Sequence, residues 1–224
     1  MRLRQSRPVL TVCGIAALSP LIACAPYSPT PGPGASAFST EPAVVDVEET
    51  SSPSAEAEPE PETGTWQTKW GPLTETDRKL ITGVRLASLW EMPIAQDAVQ
   101  RASTSRVRAI SKEIAEQHHT LDEQVRDVAA KLKVKLPVTP TDEQQDWMND
   151  ISSKSGSAYD ATYVKWLRLA HGKVFALIGT VRGSTQNTLV RRFSEQANAA
   201  VLNHQRLLES TGLTTPESFP TPSG

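Results

Sequence analysis

Five residues carry side chains able to ligate a metal, move a proton or hold a buried charge: Glu91, His118, Asp160, His171 and His204. Each falls in a run of apolar residues spaced three or four apart. A polar group on such a stripe is costly unless a partner satisfies it. Three chemistries fit a carboxylate and imidazoles borne on separate helices. Glu91, His118 and His171 could hold a transition metal such as iron or zinc. They could instead satisfy one another as a hydrogen-bonded Glu–His cluster. They could also respond to pH, since an imidazole beside a carboxylate titrates near neutrality.

The elements that must position these residues are helices. The spacing predicts a first helix over 75–102, with Thr74 and Asp77 at capping-box spacing and Leu80, Val84, Ala87, Glu91, Ala95 and Ala98 recurring along it. Pro93 removes one backbone hydrogen bond from that helix, and a kink is expected there. A second helix over 105–133 shows the cleanest stripe: Val107, Ile110, Ile114, His118, Leu121, Val125, Val128 and Leu132. Pro137 and Pro140 end it. A short helix over 142–153, capped by Thr141, crosses the end of the assembly on Trp147 and Ile151. A third long helix over 157–181 stops at Gly183, and a fourth covers 187–210. No alternating strand pattern appears. The fold class is therefore all-α. Short turns favour antiparallel neighbours, giving an up-down-up-down four-helix bundle over 71–212 with a short extra helix between its second and third members.

Folding the chain at its turns places Glu91, His118 and His171 within a few ångströms of one height, at a rise of about 1.5 Å per residue. His204 comes out about 10 Å further along the axis, nearer Asp160. Asp160 and His204 are accordingly a second candidate pair. Asp160 has a second reading, because Ser157-Ala158-Tyr159-Asp160 has capping-box spacing at a helix start.

Several signals point away from familiar chemistry. Glu116-Gln117-His118-His119 contains Glu-x-x-His, but Glu116 and His119 fall off the stripe and neither later helix repeats the motif. His119 is read as solvated, and Trp90, Trp147 and Trp166 as packing anchors. No Gly-rich phosphate loop, Gly-x-Ser-x-Gly or Cys-x-x-Cys is present. Apart from Arg2, Arg4 and Arg7, all of the chain's 23 Lys and Arg lie from residue 69 onward. Acidic residues there nearly match them, so nothing argues for a nucleic-acid partner.

The amino terminus reads as an address. Arg2, Arg4 and Arg7 precede an apolar stretch over 9–23, interrupted by Ser19 and Pro20, too short and broken for a membrane span. It ends in Leu21-Ile22-Ala23-Cys24, which resembles the bacterial lipobox. Residues 1–23 are thus expected to be a lipoprotein signal peptide, and Cys24 the lipidated residue that anchors the chain at the extracytoplasmic face of a cell membrane. The second cysteine, Cys13, lies inside that leader. Residues 24–70 are rich in Pro, Ser, Thr and Glu, with eight acidic residues from Glu41 to Glu62, and read as a disordered tether. Residues 213–224, with Pro216, Pro220 and Pro222, are expected to fray.

The chain resembles a bacterial envelope family known as the "domain of unknown function" family numbered 4142. The likeness covers residues 77–212. It rests on Leu89-Trp90-Glu91, Ala115-Glu116-Gln117-His118, Lys135-Leu136-Pro137, Ser155-Gly156, Tyr159-Asp160-x-x-Tyr163, Ala170-His171 and Asn203-His204. The resemblance implies a secreted or lipid-anchored helical bundle of ferritin-like appearance. It implies that Glu91, His118, Asp160, His171 and His204 match polar positions of the family. The family often has Asp immediately before the second-helix histidine, where this chain has Gln117. Together these readings lead to a lipid-anchored envelope protein that binds a protein partner or a metal ion. The rival is a metalloenzyme with redox or hydrolytic chemistry at Glu91, His118 and His171.

Overall fold

The computed structural model describes residues 64–221. The leader, Cys24 and nearly all of the expected tether lie outside the described residues. The described chain is mostly helical, with little strand. A small hairpin pairs β1 (Trp66–Thr68) with β2 (Gly71–Leu73), followed by α1 (Glu75–Arg101), α2 (Ser105–Leu132), α3 (Asp142–Ser152), α4 (Gly156–Ser184) and α5 (Thr188–Glu209). A 3-10 turn over Pro216–Ser218 follows. Among the described residues, no helix is long and apolar enough to cross a membrane.

Local chemistry sets the helix starts. The Thr74 amide donates to Asp77 Oδ2 at 2.8 Å and the Asp77 amide donates to Thr74 Oγ1 at 3.2 Å, closing the capping box. Thr141 and Gln144 make the same reciprocal pair at α3. The α2 stripe read from the sequence is buried at every position. The helix α1 continues through Pro93, whose ring is exposed and whose missing donor costs one rung of the ladder. The helix α4 runs to Ser184, past the glycine expected to break it. Glycine inside a helix costs about 1 kcal/mol, too little to end a helix of 29 residues that buries one face.

The helix α1 packs on α2 and α4, and α5 packs on α4 and α2. The core they enclose falls into two apolar blocks. One contains Leu80, Val84, Leu121, Val125, Ile178, Phe193 and Val201. The other contains Trp90, Ile94, Ile110, Ile114, Tyr163, Leu167 and Leu208, with α3 docked on it through Trp147 and Ile151. His118, His171 and His204 lie on their helices between the residues of one block and those of the other.

Two expectations need correction. Residues 66–73, assigned to the tether and the bundle start, form the hairpin. Strands of three residues are too short to show alternation, so no pattern announced them. Gly71 is required there by both its φ of 104° and space, because a Cβ would lie 2.7 Å from the Gln186 carbonyl oxygen. The tail expected to fray after residue 212 instead folds back on α4. Ser218 is fully buried, and the Phe219 ring lies 4.4 Å from the Arg168 guanidinium. Pro220 rests so closely on Gly172 that a Cβ there would meet its ring at 2.6 Å. The missing side chain at Gly172 makes the groove that holds the tail.

Candidate metal centre

Each long helix contributes one polar side chain to a shared interior layer. Glu91 comes from α1, His118 from α2, His171 from α4 and His204 from α5, and none is more than 3 % exposed. His118 Nε2 lies 2.9 Å from Glu91 Oε2, and His171 Nε2 lies 3.4 Å from the same oxygen. His171 Nε2 and His204 Nδ1 are 2.9 Å apart. The rings of His118 and His204 stack at 5.0 Å between centroids, and His171 meets His204 edge-on at 4.9 Å.

The sequence reading brought Glu91, His118 and His171 to one level, and the structure places them in contact. It separated His204, which the structure brings against both His171 and His118. With α4 extended to Ser184 and α5 beginning at Thr188, most of the supposed offset disappears, since each added residue moves the turn by about 1.5 Å.

The network fixes the proton positions of two rings. His171 Nδ1 lies 2.7 Å from the Leu167 carbonyl, which can only accept, so Nδ1 carries the proton and Nε2 offers a lone pair. His204 Nδ1–H donates to that lone pair, leaving His204 Nε2 bare, buried and without a hydrogen-bond partner. Burial pushes the His171 pKa below the ordinary histidine value. Glu91 opposes this, and His118 and Arg168 reinforce it. Burial, then the neighbouring His171 and His118, push His204 down as well. Both imidazoles are therefore neutral at pH 7, the form that ligates metals.

Glu91 Oε2 and His118 Nε2 are close, yet neither is satisfied by a hydrogen bond, and His118 Nδ1 also has no partner. Each unsatisfied buried group costs about 1–3 kcal/mol. Their grouping matters more than their number. The ligating atoms of the three histidines lie within 4.8 Å of one another. A tetrahedral zinc with bonds of about 2.0–2.1 Å separates its donors by about 3.3 Å. The observed contacts of 2.9, 3.4 and 2.9 Å bracket that edge. Three nitrogens and one carboxylate oxygen suit zinc or iron(II). Nothing in the sequence stripe marked Ser88, whose buried hydroxyl also lacks a partner.

Asp160 is not part of this layer. It neither caps its own helix, whose N-cap Ser155 makes no side-chain cap bond, nor touches His204. Its carboxylate reaches across to the start of α2, accepting from the Ser103 amide at 2.7 Å, the Ser103 hydroxyl at 2.9 Å and the Thr104 amide at 2.9 Å. Burial works to raise its pKa, but those amides and hydroxyls outweigh it and hold the carboxyl below the ordinary range. Asp160→Asn should lower stability by about 1.5–3 kcal/mol in urea unfolding at neutral pH. With the folded pKa depressed, the contribution is present above the free Asp value of about 3.9 and is lost as pH falls through the folded value. The gap between wild type and variant should therefore close in acid; a gap unchanged there contradicts this role. His119, as expected, is exposed, 3.6 Å from Glu123.

The fold and the site together define a helical domain with a buried polar layer of three imidazoles and one carboxylate. The chain belongs to the domain of unknown function family DUF4142, whose model matches residues 64–210. No curated protein and no solved structure matches it.

Proposed function

We propose that this protein is a lipid-anchored, extracytoplasmic four-helix bundle that binds a transition-metal ion, zinc(II) or iron(II), through Glu91, His118, His171 and His204. The observation that carries the reading is the convergence of buried donor atoms, one from each long helix, in contacts of 2.9, 3.4 and 2.9 Å, with Glu91 Oε2 and His118 Nε2 unpartnered. A cation at that point would satisfy Glu91 Oε2 and His118 Nε2 together. For His204 to ligate through Nδ1, its neutral ring would take the other tautomer, with the proton moved to Nε2. Four protein donors fill a tetrahedral zinc sphere, and a catalytic site keeps one position open. The reading is therefore of binding, not of a metalloenzyme. The short connection between α1 and α2 and the neighbour contacts of α1, α2, α4 and α5 support the up-down-up-down arrangement.

The test is metal content. Residues 25–224, purified without a His tag and equilibrated with micromolar zinc(II) or iron(II), should retain stoichiometric metal, and His171→Ala should lose it. A wild-type site that stays empty under those conditions overturns the reading and leaves a structural polar cluster. The proposed address is tested separately: Cys24→Ser should move the protein from the membrane fraction to the soluble extracytoplasmic fraction, and continued membrane association would show that Cys24 is not the anchor.

A further inference from the structure

The end of the domain through which the chain enters is cationic and aromatic. The hairpin is fastened to the start of α5, since the Thr188 amide donates to the Trp70 carbonyl at 2.8 Å and Asn187 Nδ2 donates to the Gly71 carbonyl at 3.1 Å. Against the hairpin lies the last turn of α2. Between them is a cavity of about 340 Å³, walled by Trp66 and Trp70 and rimmed by Lys69, Lys131 and Lys133. The Lys69 ammonium sits 4.4 Å from the centroid of the Trp70 ring.

Much of the positive charge here is not neutralised. Lys79 pairs with Glu75 and Lys131 with Asp127. Lys69, Lys133, Lys135, Arg182 and Arg192 are exposed and make no ion pair among the described residues. Of the carboxylates at this end, Glu75 and Asp127 are taken up in those pairs and Asp77 in the α1 cap, leaving Glu195 exposed and without an ion pair among the described residues. The same loop presents Val138, 81 % exposed.

Lys133 supplies an independent pointer. It closes α2 at φ 55°, ψ 31°, the one positive-φ residue other than glycine among the described residues. Glycine fits that left-handed cap without steric penalty and lysine does not. A strained backbone that carries a cation to the rim of an aromatic cavity is a reason to look for an anion.

We infer that this end of the protein docks on anionic phospholipid headgroups, with a headgroup phosphate among Lys69, Lys131 and Lys133 and the two indoles at headgroup depth. Indoles and lysines are the side chains that favour the membrane interface, and clustered cations favour anionic lipid. Connectivity commits the surface to lipid. The chain leaves this end toward residues 8–62, which contain no Lys or Arg, and toward Cys24. A chain held at a bilayer from that side therefore presents this end to it. The inference rests on the proposed anchor at Cys24 and is independent of the metal reading.

The experiment uses residues 25–224, which omit the apolar leader and Cys24 and keep every described residue. Binding is followed by sedimentation and indole fluorescence. Vesicles of phosphatidylglycerol mixed with phosphatidylcholine should bind the protein, and pure phosphatidylcholine vesicles should not. Binding should weaken steeply as salt rises from about 0.05 M to about 0.5 M. Lys133→Gly should weaken it about fivefold while leaving the melting temperature unchanged or higher. Lys69→Glu with Lys135→Glu should weaken it by more than about 25-fold. Lys112→Glu, a reversal on an exposed face of α2 away from the hairpin, should leave it unchanged. Equal binding to both vesicle types, or equal loss in the Lys112 variant, overturns the inference. Binding that emerges only once the acidic residues of 41–62 are changed to Gln and Asn assigns the cradle to that segment of the chain and overturns it as well.

Discussion

Zinc(II) or iron(II) at a free concentration about a hundredfold above its Kd should raise the melting temperature of the wild-type protein by about 5–10 °C, and should leave that of His171→Ala and His204→Ala unchanged. The size follows from linkage: a ligand bound only by the folded state adds about 2.7 kcal/mol at that concentration, and a domain of this length gains about 2–4 °C per kcal/mol. Coupling is strong because the donors sit on α1, α2, α4 and α5, so the four long helices must be docked before the donors meet. The metal-free protein supplies the contrast. There the layer is a liability, since its unpartnered atoms bring desolvation cost without compensation. Glu91→Leu with His118→Phe should therefore match or exceed wild type without metal, and fall below it with metal. That reversal of rank is the signature to look for in paired thermal melts. An identical order in both conditions would remove the metal from the account, and a double variant that fails to fold would require a larger structural role for the Glu91–His118 contact.

The same layer sets a pH dependence. With folded His171 and His204 both depressed, the unfolded chain binds more protons than the folded one below the free histidine value of about 6.5. Stability should therefore fall as pH drops through that value, and metal should protect against the fall by holding both rings deprotonated.

The second large effect lies outside the layer. Asp122→Ala should cost about 3–5 kcal/mol in urea unfolding. Asp122, buried on α2, accepts from the Arg85 guanidinium of α1 and from Arg126 Nε at 2.7 Å. Arg85 is itself buried, and its Nε donates to the Pro137 carbonyl at 3.4 Å, so the pair fixes both the α1–α2 packing and the loop after α2. Removing the carboxylate strands a buried guanidinium, whose loss of hydration the long contact to the Pro137 carbonyl does not offset. Arg85→Met combined with Asp122→Leu should recover most of that loss, because an apolar pair of similar volume carries no desolvation cost. A single variant within about 0.5 kcal/mol of wild type would mean that Arg85 reaches water when unpaired.

Much of the architecture was legible in local signals. The capping pair Thr74–Asp77, the cap at Thr141 and the stripe from Val107 to Leu132 depend only on neighbours within a turn or two. They therefore located α1, α2 and α3 to within a residue. The same periodicity exposed Glu91, His118, His171 and His204 as polar residues on apolar stripes, because a stripe reports burial whichever partner covers it. The sequence brought Glu91, His118 and His171 to one level but set His204 apart from them. Relative height depends on where helices end, and Gly183 misled the estimate because one glycine costs less than the packing of the helix that contains it.

Contacts between residues distant in the chain leave no local mark at all. Asp160 looked like the cap of its own helix, since the spacing of Ser157 and Asp160 is correct for one, yet it caps α2, 57 positions away from Ser103. Arg85 and Asp122 gave no sign of each other, and the tail gave none of its place against Gly172. Chain order thus determined the helices, their buried faces and the types of donor available. Only packing decided that His204 completes the layer and that Asp160 stays out of it, because hydrogen bonds and ligand spheres depend on separation in space, and separation along the chain does not set it.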